Sequence, residues 1–163
     1  MVDTIKELSD LSSKINQKSD QLNSIISKVN RKLSTFNLGL EVWLGAPLSS
    51  GPWRPIETST GNTAWTHEVT QLGYCRVEDE WQVAIRHANP VHEEKDDYDS
   101  DEAGEDGLDE GLNAGPPHPL LKAARDTRIR AMSLLPRLLE ELKAHTQETL
   151  GAIDKAEKLA ESL

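Results

Sequence analysis

From Val2 to Thr35 the chain runs without a glycine or proline, and its apolar residues return every three to four positions. An amphipathic helix fits that combination, since a strand needs a period of two and a loop needs breakers. With Leu8 at heptad position a, Met1, Leu8, Ile15, Leu22, Val29 and Phe36 all fall at a, while the d positions hold Thr4, Leu11, Lys18, Ile25 and Lys32. Every a residue is apolar, but only two of the five d residues are. Such a half-filled seam suits a helix laid on a companion helix or sheet, and falls short of a leucine zipper, where both positions are filled. Ser, Asn, Gln, Lys and Asp occupy the other faces, as solvent requires.

At Asn37 the pattern changes. Gly, Pro and Trp appear, and the hydrophobic period drops to two. Leu38, Leu40, Val42 and Leu44 alternate with Gly39, Glu41 and Trp43, which predicts a first strand ending before Gly45 and Pro47. The stretch from Ala46 to Asn62, with three prolines and two glycines, reads as a surface loop. Strands are expected over Ala64 to Val69, Gln71 to Val77 and Trp81 to His87, in an antiparallel meander whose tight turn is Glu78-Asp79-Glu80. In the last strand Trp81, Val83, Ile85 and His87 share one face, and Gln82, Ala84 and Arg86 the other. A three- or four-stranded sheet needs cover, and the apolar stripes able to supply it belong to the helices.

The formal charge of -10 is local. Eleven acids lie between Glu93 and Glu110 against the single base Lys95, leaving 17 acids and 17 bases elsewhere. Together with four glycines and Pro116-Pro117-His118-Pro119, this makes residues 90–119 too charged and too poor in apolar groups to order themselves, so a flexible acidic loop is expected. Helical periodicity resumes at Leu120 and continues to Leu163. Pro136 is expected to kink or restart this second helix, and Gly151 to soften it. With 163 residues, 36% of them apolar, a single α+β domain is predicted. Its parts are a helix (1–36), a β unit (37–89), the acidic loop (90–119) and a kinked helix (120–163).

Chemistry is sparsely signalled. Cys75 is the sole cysteine and sits mid-strand, where a buried structural thiol is expected; it allows neither an intrachain disulfide nor a cysteine zinc site. No apolar run near the N-terminus resembles a signal peptide or membrane span, so a cytoplasmic protein is expected. Asp99, Asp101, Gly104, Glu105 and Glu110 fit part of a calcium-loop spacing, but Ala103 and Asp106 break it, and a solvated loop is favoured. His87 and His92 with Glu93 are the nearest approach to a metal-ligand cluster, without a diagnostic spacing. Neither a nucleophile with its base nor a phosphate-binding glycine loop is legible. No enzyme, cofactor or resident metal is therefore expected.

What remains points to contact between proteins. The helix seams, through Leu8, Ile15, Leu22, Val29, Leu135 and Leu142, are expected to oligomerise the chain or dock it onto a protein partner. Trp43 and Trp81 read as core, and Trp53, in its proline-rich loop, as a second contact residue. An alternative reading is a charge-gated nucleic-acid-associated or inhibitory protein. There Lys122, Arg125, Arg128 and Arg130, with Arg137, would form a basic face shielded by the acidic loop. Steep salt dependence would mark that second reading, whereas an apolar seam is nearly indifferent to salt.

Overall fold

A computed structural model describes residues 2–57, 63–93 and 113–161. It is α+β, with two long helices on one face of an antiparallel sheet. Helix α1 (Val2–Phe36) leads into β1 (Val42–Trp43), β2 (Ser49–Ser50), β3 (Arg54–Glu57), β4 (Thr63–Thr66), β5 (Val69–Val77), β6 (Glu80–Asn89) and β7 (Val91–Glu93). After the undescribed stretch come β8 (Asn113–Ala114), β9 (His118–Pro119), a 3-10 turn (Leu120–Lys122) and α2 (Arg125–Glu161).

The backbone of the sheet is one long hairpin. β5 and β6 pair from Val77↔Glu80 to Val69↔Ala88, and β4 and β7 continue the same register from Thr66↔Val91 to Ala64↔Glu93. Pro90 lacks the N–H that would carry the ladder across, and the strands bend there into a second, three-stranded sheet ordered β3-β4-β7. At the tip, Glu78 and Asp79 both have positive φ (51° and 69°), the handedness a two-residue hairpin turn needs to match strand twist. The turn is thus one residue shorter than the sequence pattern suggests.

The edges of the main sheet are broken. β1 and β2 both pair with β5, and β8 and β9 both pair with β6. Gly45 and Pro47 interrupt the first edge, although Leu44 and Leu48 still donate to the Leu72 and Thr70 carbonyls (2.9 and 2.7 Å). The expected strand from Leu38 to Leu44 therefore shrinks to β1. The supposed loop from Ala46 to Asn62 contributes β2 and β3, because a neighbouring strand supplies the pairing that the local sequence does not advertise. Likewise the ends of the expected loop 90–119 form β7, β8 and β9, while its acidic centre lies outside the described residues.

The core lies between sheet and helices. Leu72, Tyr74, Val83 and Ile85 point from the hairpin onto Ile26 and Leu33 of α1 and onto Ala131, Leu135, Leu138 and Leu142 of α2. Asn30 reaches from α1 to accept the Val83 N–H (2.8 Å), satisfying a sheet-edge donor. The opposite face buries small residues: Gly73, Cys75 and Ala84 lie under Trp43, whose ring carries the Arg86 guanidinium at 4.3 Å. Trp43 is half-buried, and Trp81, also half-buried, stacks on Tyr74 at 5.7 Å. Of the kink or restart expected at Pro136, the restart does not occur, and α2 runs through it as one continuous helix. Pro136 lies on its exposed side, where the unpaired carbonyl one turn back can be hydrated.

Candidate functional site

The heptad seam of α1 does two different things along its length. The residues buried on the core are Ser19, Ile26 and Leu33, one position class around the helix from the expected a line, with Leu22 and Val29 at their flank. Before Ser19 every residue from Asp3 to Lys18 is exposed. Ile5 is 62% exposed, Leu8 60%, Leu11 53% and Ile15 49%, so an apolar stripe continues past the point where the sheet ends. Of the expected seam residues, Leu8 and Ile15 are on this open stretch, Leu22 and Val29 border the core, and Leu135 and Leu142 are fully engaged within it. They do not form one surface.

The two helices run alongside one another in the same direction. Asn16 of α1 accepts from Arg125 at the start of α2 (2.8 Å), and Leu33 and Phe36 share a groove with Leu139 and Leu142 farther along. α1 consequently overruns the core at one end and α2 at the other, where Leu150 and Ile153 are exposed. At the junction of free and packed α1 lies a groove of about 500 Å³, lined by Leu11, Ile15, Leu22, Ile25 and Ile129 and edged by Lys14 and Lys18. Its apolar floor and basic rim suit an amphipathic helix as occupant.

Trp53 is 49% exposed and packs against His67 (ring centroids 3.9 Å) and His92 (5.1 Å). The hairpin register that extends past Pro90 brings His92 to this cluster, away from His87, with which the sequence had grouped it. His87 instead meets Thr70 Oγ1 at 3.1 Å. His67 has its pKa lowered, first by burial and then by the nearby His92, and its Nδ1 is buried without a hydrogen-bond partner. Among the described residues no group of three or more His, Cys, Asp or Glu is placed to hold a metal ion. The calcium-loop positions from Asp99 to Glu110 lie outside the described residues.

The basic residues are dispersed onto separate internal partners. Lys122 bonds Glu78 (2.9 Å), Arg125 bonds Asn16, Arg128 donates to the Leu121 carbonyl (3.1 Å), and Arg130 pairs with Asp126 (2.9 Å). Cys75 is buried, and its pKa is pushed up to about 11 by burial, with Glu41 adding to the rise and Arg86 opposing it, so at neutral pH it stays a thiol. Among the described residues no helix is long and apolar enough to cross a membrane. No protein-family model matches the chain, and neither a curated protein nor a solved structure does.

Proposed function

We propose that the chain is a non-enzymatic protein-binding adaptor or accessory subunit, and that it docks through the free N-terminal half of α1. The observation that carries this reading is the run Ile5, Leu8, Leu11 and Ile15, each about half or more exposed on one face of a helix with no sheet beneath it. An apolar stripe of this length in water favours burial against another surface, and an amphipathic helix with anchors three and four residues apart is a recurring recognition element. The charge-gated alternative finds less support, because four of its basic residues are already engaged within the chain.

A photo-cross-linking residue at Leu11 of the full chain tests the reading, with Ser13 on the opposite, polar face as control. Cross-links to protein from Leu11 but not from Ser13, abolished by Leu8→Asp with Ile15→Asp, are expected. Equal, background-level linking at both positions would overturn the proposal.

A further inference from the structure

We infer that the occupant of this stripe is the same stripe of a second copy, the two α1 helices pairing antiparallel about a two-fold axis between Ser9 and Asp10. The inference rests on the docking reading and names its partner. Antiparallel seams that keep position a opposite position d differ by steps of seven residues, so few registers exist, and the charges flanking the seam at Glu7 and Lys14 choose among them.

If Leu8 faces Thr4 of the second copy, the two Glu7 side chains meet across the axis. If Leu8 faces Lys18, the two Lys14 side chains do. Only when Leu8 faces Leu11 does Glu7 lie beside Lys14 of the second copy, twice by symmetry, with Ile15 opposite Thr4. Like charges directly opposed disfavour the first two registers. The third also fits the body. Residue 3 then faces residue 16 of the second copy, the position where Arg125 of α2 first meets α1, so the pairing uses the free stretch and stops where the partner's core begins. That stretch is about 20 Å long. Lys18 falls at the outer end of the seam, where its ammonium reaches water. A two-fold pairing of this kind is closed, which leaves no repeating surface to build a fibre.

Sedimentation of the full chain over a wide concentration range provides the test. The wild type should rise from 18.1 kDa to twice that mass. Glu7→Lys and Lys14→Glu should each weaken association about tenfold, because both symmetric pairs turn repulsive. An equimolar mixture of the two variants should recover it, since every flanking pair is then of opposite sign, as should both substitutions on one chain. These exposed positions leave the fold intact, which an unchanged melting temperature of the monomer verifies. A wild type that stays monomeric throughout, or a dimer indifferent to both single substitutions, overturns the inference. If Leu11 then still cross-links to a different protein, the self-pairing falls while the docking reading stands; if it links to nothing, both fall.

Discussion

Gly73 faces the Trp43 ring across the pairing of β1 and β5, and a Cβ there would press into the ring and lie 2.6 Å from the Val42 carbonyl oxygen. Neither neighbour can yield cheaply, since one is backbone and the other is held by Arg86 and by a 2.6 Å bond from its Nε1 to Glu41. Gly73→Ala is expected to cost about 3 kcal/mol, the upper range for overpacking a tight site, read from chemical denaturation. His67 makes a second prediction. Its pKa in the folded state lies below the ordinary 6.5, so between those two values the unfolded chain binds more protons. The stability that His67 contributes is complete above pH 6.5 and is lost as pH falls through its depressed value. Thermal melting of the wild type should therefore fall more steeply below pH 6.5 than that of His67→Gln, and parallel curves would contradict the burial assigned to the ring. Neither feature was visible in the sequence: a glycine in a strand does not name its neighbour, and His67 and His92 meet only because the hairpin ladder continues past Pro90.

Element types and their order follow directly from the hydrophobic period, which switches from helical to alternating at Asn37 and back near Leu120. The central hairpin was legible because β6 alternates from Trp81 to Arg86 and the polar Glu78-Asp79-Glu80 marks the turn, although β5 is buried on both faces. The edge strands were not, because Pro55, Pro117 and Pro119 mark loops locally while distant strands provide the pairing. Two elements work against their own sequence. The hairpin tip places Glu78 and Asp79 at positive φ without a glycine, so Asp79→Gly should stabilise the chain by about 1 kcal/mol, even after the exposed Arg76–Asp79 pair is lost. α2 carries Pro136 in its interior, leaving the Met132 carbonyl without its intrahelical donor. Pro136→Ala should raise the denaturation midpoint by an amount equivalent to roughly 1 to 3 kcal/mol. No gain would mean that the helix is already accommodated around the proline.

Across the whole molecule, a single amphipathic stripe serves two environments. The heptad of α1 reads the same from Leu8 to Val29, yet the sheet lies beneath only its second half, and nothing in the sequence marks where cover ends. The change comes from the size of the sheet: a hairpin with broken edges is shorter than a 35-residue helix. That is why Leu8 and Ile15 stand open while Leu135 and Leu142, of equal apolarity, are consumed by the core. The most direct test of a free docking half on α1 is amide hydrogen exchange along the helix at low and high protein concentration. Residues 3–18 are expected to exchange far faster than residues 26–33 in dilute solution and to gain protection on concentration, with residues 26–33 unchanged. Uniform, concentration-independent protection along all of α1 would contradict it.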